Sequence, residues 1–283
     1  MKLEPAAALR ARLTAVLESS DDSDLFVTAR AGNAYCLRSI RTSRALFSVV
    51  LKGCKRIYHG EKRFEIPPGH AVVIAAGSCI DVENTPDLQS GEYLAALIVL
   101  PEEILNITRT LLGELAGGAM PQSSSNSPCS VVTLESIAAE LQQCTEYSTA
   151  SGRPRFHHAL AGLLLKLHEL GITAFLQPMR PRLADSISSL LATEPAREWR
   201  SIDIEDRLAM SGATLRRQLA AEETSLRRIL TETRLGQALQ LLQTTRLPVK
   251  TVAAQSGYRS VSSFARRFHE RYGVEPSRVA NTN

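Results

Sequence analysis

Between residues 25 and 99 the apolar positions come in short runs separated by turn residues: LFVTAR, AYCLRSI, ALFSVVL, CKRIYH, RFEI, HAVVIA, CIDVEN and YLAALIV. Such runs, rich in Val, Ile, Leu and aromatic residues, predict about eight strands forming a barrel or sandwich. Within FEIPPGHAVVIAAG, one strand ends at Pro67-Pro68-Gly69, a buried run follows, and Gly77 closes it. Residues 4–20 read as a short helix. Past residue 100 the apolar period becomes helical. Pro101–Ala116 predicts a helix with proline in its first turn, and Val131–Thr149 and Arg155–Leu176 predict two more. On the last, Leu160, Leu163, Leu164, Leu167 and Leu170 share a stripe that either packs on the barrel or pairs two copies of the chain. Gly117–Ser130 reads as a loop and Gln177–Arg182, with two prolines, as a linker.

The last hundred residues show a doubled plan. Val249–Ser256 predicts a short helix after Pro248, Gly257 a sharp turn at positive φ, and Ser260 the N-cap of a helix over about residues 261–272. On that helix Phe264, Phe268 and Tyr272 recur every four residues and are expected to face inward, with Ala253 at the close crossing of the two helices. Ser262, Ser263, Arg266 and Arg267 then project outward. Arginine pairs with guanine edges and serine reaches bases or phosphates, so this face suits the major groove of DNA. The same plan occurs earlier. Asp203 is expected to cap a helix to about Met210, and Ser211 to cap another over Gly212–Ala221, with Leu215 and Leu219 inward and Thr214, Arg216 and Arg217 outward. Leu226–Gln243 predicts a long helix between the two motifs. At about 1.5 Å per residue it spans roughly 27 Å. With the width of its neighbours it holds two recognition elements about 34 Å apart, one turn of B-DNA.

Charge sharpens this picture. Residues 1–180 hold 17 basic and 18 acidic side chains, residues 181–283 hold 16 and 11, and residues 246–278 alone hold seven and two. The positive excess lies where the outward arginines lie, as a phosphate-binding surface requires. No apolar run approaches the roughly 18 residues of a membrane span, and Met1-Lys2-Leu3-Glu4-Pro5 opens no signal-peptide core. No membrane partner and a cytoplasmic, nucleoid-associated location are therefore expected. Five scattered cysteines form no CxxC pair, so zinc has no support. Cys36, Cys54 and Cys79, in strand-like stretches, are expected as small core residues.

The run VAAQSGYRSVSSFARRFHERYGVEPS, within Arg182–Arg278, resembles the DNA-binding domain of the AraC/XylS family of bacterial transcription regulators. The EETS segment looks more like the family's virulence and acid-resistance regulators than its sugar-operon members. The resemblance implies an α+β chain: a cupin-like β-barrel over 1–100, preceded by a short helix, a helical dimerisation or connector segment over 101–176, and an all-α tandem helix-turn-helix domain over 183–283. It implies base-reaching roles for Thr214, Arg216 and Arg217 in the first motif and for Val261, Ser262, Ser263 and Arg266 in the second. Arg267 is equally suited to a phosphate, which sets affinity rather than sequence choice. The implied partners are double-stranded DNA, RNA polymerase and a second copy in a homodimer. Family members are mostly activators. Two positions depart from the pattern. Glu205 stands where a small alanine is usual, and must point outward or loosen the helix crossing; Ala209 stands where the turn glycine is usual.

The β region, on its strand rhythm and on EIPPGHAVVIAAG, resembles the barrel that in the family binds a small effector, dimerises, or both. Relatives of the virulence subgroup imply a fatty acid or another small organic acid. Arg38, Lys52, Lys55 and Arg56 either meet such a carboxylate or are solvated strand edges. Metal-dependent cupins need an H-x-H pair with a later Glu and His, whereas His59 and His70 stand apart and His157 and His158 face different ways on a helix. No nucleophile elbow or nucleotide-binding glycine loop occurs. The expectation is a regulator with no catalytic residue, metal or cofactor. The alternatives are a cupin metalloenzyme with a DNA-binding appendage and an effector-independent dimeric regulator.

Overall fold

The computed structural model describes residues 5–19, 25–115, 127–148, 152–177 and 182–280. Most of the expected loop over Gly117–Ser130 and of the expected linker over Gln177–Arg182 lies outside the described residues. The chain divides into an N-terminal unit, Met1–Pro178, and a C-terminal unit, Met179–Asn283.

The N-terminal unit begins with α1 (Pro5–Ser19) and continues through β1 (Val27–Ala31), β2 (Tyr35–Arg41), β3 (Leu46–Lys52), β4 (Cys54–His59), β5 (Lys62–Ile66), β6 (His70–Ile74), β7 (Cys79–Thr85) and β8 (Tyr93–Val99). Then come α2 (Glu102–Leu115), β9 (Cys129–Thr133), a 3-10 turn over Leu134–Ile137, α3 (Ala138–Glu146) and α4 (Arg153–Glu169). The strands form two sheets, ordered β1-β8-β3-β6-β9 and β2-β7-β4-β5, with antiparallel pairing throughout. This is the cupin-like arrangement that the strand rhythm predicts.

β9 corrects the expectation of a loop and then a helix over this stretch. It pairs with β6 from His70↔Thr133 to Ile74↔Cys129. Consecutive Val131 and Val132 are stiff at χ1 and favour the pleat, so α3 starts only at Ala138. The span 101–176 is thus helical on both sides of a strand that belongs to the barrel.

Strand alternation builds two layers. Phe47, Val49 and Leu51 of β3 share one core with Leu94 and Ile98 of β8 and with Leu13, Ile104 and Leu141 of the covering helices. Leu160, Leu163, Leu164 and Leu167 of α4 join the same core. Each fully buried leucine contributes about 1.5–3 kcal/mol. The leucine stripe is therefore used inside the unit and does not present itself to a partner. Leu170 falls beyond the helix end and is exposed.

Ser48, Val50 and Tyr93 alternate to the other face, between the sheets. There the basic strand residues divide. Arg56 pairs with Glu65 and Glu83, and Lys52 with Glu92, on half-exposed faces. Arg38 is exposed. Lys55 is 5% exposed, and its Nζ donates to Asn84 Oδ1 at 3.0 Å. The cysteines also differ from expectation. Cys129 and Cys144 are buried, with thiols pushed up to about 12 by desolvation. Cys36 and Cys54 are only half-buried and Cys79 is exposed, because Cys36 alternates with buried Tyr35 and Leu37 and the other two begin their strands.

The C-terminal unit is helical: α5 (Leu183–Thr193), α6 (Ser201–Leu208), α7 (Gly212–Ala221), α8 (Leu226–Thr244), α9 (Val249–Gln255), α10 (Val261–Tyr272) and α11 (Pro276–Val279). α8 has 19 residues, about 28 Å at 1.5 Å per residue. It packs against α5 on one side and against α9 and α11 on the other. Among the described residues no helix is long and apolar enough to cross a membrane.

Candidate nucleic-acid interface

α10 divides cleanly by face. Phe264, Phe268 and Tyr272 are 0%, 0% and 3% exposed. Their rings stack along the helix, with centroids 5.6 Å apart for Phe264–Phe268 and 4.8 Å for Phe268–Tyr272. Such edge and tilted contacts add to simple area burial. They close against Val252 and Ala253 of α9 and Val279 of α11, all buried. The Ser260 hydroxyl caps the helix by accepting from the Ser263 N–H at 3.3 Å, and Gly273 ends it in the left-handed region. Ser262 and Arg266 are exposed on the opposite face, while Ser263 and Arg267 sit half-buried beside them. Val261, at the N-terminal end, is 41% exposed, and a thymine methyl is a fitting contact for it.

α7 repeats this arrangement. Leu215 and Leu219 share a core with Ile187, Leu191, Trp199, Ile204 and Ile229. Arg216 and Arg217 are exposed, and Thr214 is half-buried. Thr214 also closes the N-terminal cap of its own helix. Its N–H donates to the Ser211 hydroxyl at 3.3 Å, and the two hydroxyls lie 3.0 Å apart. Part of its side chain is thus held in the cap. Among the described residues no carboxylate pairs with Arg216, Arg217, Arg266 or Arg267, whereas neighbouring Arg259 and Arg271 are taken by Glu198 and Glu232.

Asp203 differs from expectation. α6 begins at Ser201, so Asp203 lies within its first turn and accepts from the Arg200 N–H at 2.8 Å. That hydrogen bond holds its carboxyl below the usual range.

The two unusual residues of the first motif are accommodated locally. Ala209 takes the left-handed conformation, φ 50°, at a cost of about 1–2 kcal/mol for a non-glycine residue. Glu205 does not loosen the crossing, because position 212 is glycine. A Cβ there would come within 2.7 Å of Glu205 Oε1, and the same oxygen accepts from the Ser201 hydroxyl at 2.6 Å.

α5 and Trp199 are the parts that sequence reading missed. The Trp199 indole N–H donates to the Glu194 carbonyl at 2.9 Å, and Arg197 and Arg207 lie 4.4 and 5.2 Å from its ring. The signal for α5 was the apolar pair Ile187 and Leu191, four apart. Among the described residues no group of three or more His, Cys, Asp or Glu is placed to hold a metal ion.

Residues 204–282 match the family model described as a helix-turn-helix domain. GadX of Escherichia coli, an HTH-type transcriptional regulator, is 35% identical over 106 residues, which are 38% of this chain and 39% of GadX. This chain thus matches about two fifths of that relative's length. The structure of apo ToxT from Vibrio cholerae aligns with TM-score 0.61 at 16% identity, over 91% of this chain and 97% of ToxT. Wild-type ToxT with a bound unsaturated fatty acid gives 0.58 at 16% identity, over 91% and 95%. At that identity the likeness is one of fold, and it spans both units. The matched segment coincides with the two capped, outward-arginine motifs, so this part of the chain is similar to the helix-turn-helix domain of such transcriptional regulators.

Proposed function

We propose that the protein is a sequence-specific DNA-binding transcription regulator in which α7 and α10 each enter the major groove. The observation that carries this reading is the polarity of α10: three aromatic rings buried on one face, and Ser262 and Arg266 exposed on the other. Val261, Ser262, Ser263 and Arg266 read bases from the second motif, and Thr214, Arg216 and Arg217 from the first. Double-stranded DNA is the primary partner; RNA polymerase and a second copy of the chain complete an activator. Arg266→Ala is expected to weaken binding at the cognate site by about 1–3 kcal/mol and to relax sequence preference there. Competition gel shifts that show unchanged discrimination would remove Arg266 from base reading.

A second element concerns the N-terminal unit. Tyr93 Oη is buried without a hydrogen-bond partner among the described residues, and Lys55 Nζ lies 5.6 Å from the centroid of the same ring. A buried ammonium with three N–H groups and one acceptor, beside an unsatisfied phenol, is a costly arrangement. An acid carboxylate supplies the missing acceptor. ToxT, alike in fold, is known with an unsaturated fatty acid bound, and an organic-acid effector between the sheets is the reading this supports here. An unsaturated fatty acid at a hundred times its dissociation constant is expected to stabilise the protein by about 2.7 kcal/mol. A melting point that does not move in thermal-shift titrations, or moves equally in Lys55→Met, would count against it.

A further inference from the structure

A cleft of about 280 Å³ runs between α8 and the second helix-turn-helix, lined by Arg227 and Thr231 on one side and by Tyr258, Arg259, Ser263 and Arg267 on the other. Past Gly257 it adjoins a second cleft of about 410 Å³ that reaches Glu198, between α5 and α6. Arg234 secures this region. Its Nε donates to the Pro195 carbonyl at 2.9 Å and its Nη2 to the Arg197 carbonyl at 3.0 Å. Gly257 makes room for that fork: its φ is +80°, and a Cβ there would lie 2.7 Å from the Pro195 oxygen and 2.8 Å from Arg234 Nε.

With Arg234 engaged, three guanidinium groups remain for the cleft. Arg227 and Arg267 have no carboxylate partner among the described residues. Arg259, 89% exposed, is paired with Glu198, 76% exposed. Three cations and the Tyr258 hydroxyl, opposed by one exposed carboxylate, form a seat for oxyanions. Ser263 and Arg267 line it one residue along α10 from Ser262 and Arg266, so its occupant lies beside the base-reading face.

We infer that this cleft seats the DNA sugar-phosphate backbone between the two recognition helices. This rests on the DNA-binding reading above. Arg227, Arg259 and Arg267 neutralise phosphates, which assigns Arg267 to the backbone rather than to a base. Glu198 holds Arg259 until phosphate replaces it. An exposed ion pair is weak enough to yield, but the carboxylate left behind repels the strand, so Glu198 acts as a brake on affinity.

The test uses the full chain and a random-sequence duplex of about 40 base pairs, titrated across a salt series, where each phosphate neutralised contributes about 0.9 to the log–log slope. Arg227→Ala and Arg267→Ala are expected to flatten the slope by about that amount each and to weaken every sequence alike. Arg227→Lys, which keeps the point charge, restores the slope, and Glu198→Gln binds several-fold tighter at low salt. The emission of Trp199, the sole tryptophan, verifies that each variant is folded. A wild-type slope in both alanine variants, or no tightening in Glu198→Gln, overturns the inference while leaving the regulator reading intact. It is also overturned if inorganic phosphate raises the melting point through Arg227 and Arg267 while the slopes stay unchanged, since the cleft would then serve a free phosphate compound. A wild-type chain that binds no duplex overturns the regulator reading itself.

Discussion

Phe268→Ala is expected to cost the C-terminal unit about 3–5 kcal/mol and to abolish DNA binding. Phe268 is wholly buried and sits between Phe264 and Tyr272, so its removal leaves a cavity that both rings border. A domain of this size has only about 5–15 kcal/mol in total, and each kcal/mol lost lowers its melting point by about 4–8 °C. A drop of well over 10 °C should follow, read by Trp199 emission and far-UV dichroism. The damage is not confined to stability. Phe264, Phe268 and Tyr272 set the rotation of α10 about its axis, and that rotation decides whether Ser262 and Arg266 point outward. Ser262→Ala, which removes a surface hydroxyl, should leave the melting point unchanged while altering only binding. If Phe268→Ala melted like the wild type, the aromatic stripe would not be the core and the orientation of Arg266 would lose its basis.

What was legible in the sequence follows from how local each cause is. The aromatic spacing of α10, the caps Ser211 and Ser260 and the turn at Gly257 each depend on a few adjacent residues, and all are found where the pattern puts them. The eight barrel strands were readable for the same reason. β9 was not, because Val131 and Val132 run straight into Leu134, Ile137 and Leu141, whose helical spacing masks a five-residue strand. Leu170 fitted the stripe of α4 on paper, but Gly171 turns the chain at φ +78° and leaves it outside. Glu205 looked like a defect in the first motif. Its accommodation depends on a glycine seven positions later, a tertiary contact that no local pattern displays. The cleft beside α10 was invisible for the same reason: Arg227 and Arg267 are forty residues apart and meet only through the packing of α8 against the second motif.

Lys55 is the extreme case of a cause that is not local, and it carries the second large effect. Alternation in CKRIYH puts Lys55 on the same side of β4 as buried Ile57, yet a lysine beside an isoleucine reads equally well as a strand edge. Burial lowers its pKa from 10.5 to about 8. Between those values the unfolded chain holds a proton that the folded chain has released, so stability rises with pH across that window. Below about pH 8 the folded protein carries the full cost of a buried charge, roughly 3 kcal/mol at 1.36 kcal/mol per pH unit. Lys55→Met removes that cost but leaves Asn84 Oδ1 without its donor, a loss of about 1–3 kcal/mol. The variant should therefore be more stable than the wild type by up to about 2 kcal/mol at pH 7, as when a buried charge gives way to a packed apolar chain. By pH 10.5 the wild type has shed its charge, and the order should reverse. Denaturant unfolding of the full chain, following the transition that Trp199 emission does not report, measures both points. Parallel stability–pH curves for the two proteins would mean that Lys55 is not desolvated between the sheets, and the carboxylate seat would lose its cation.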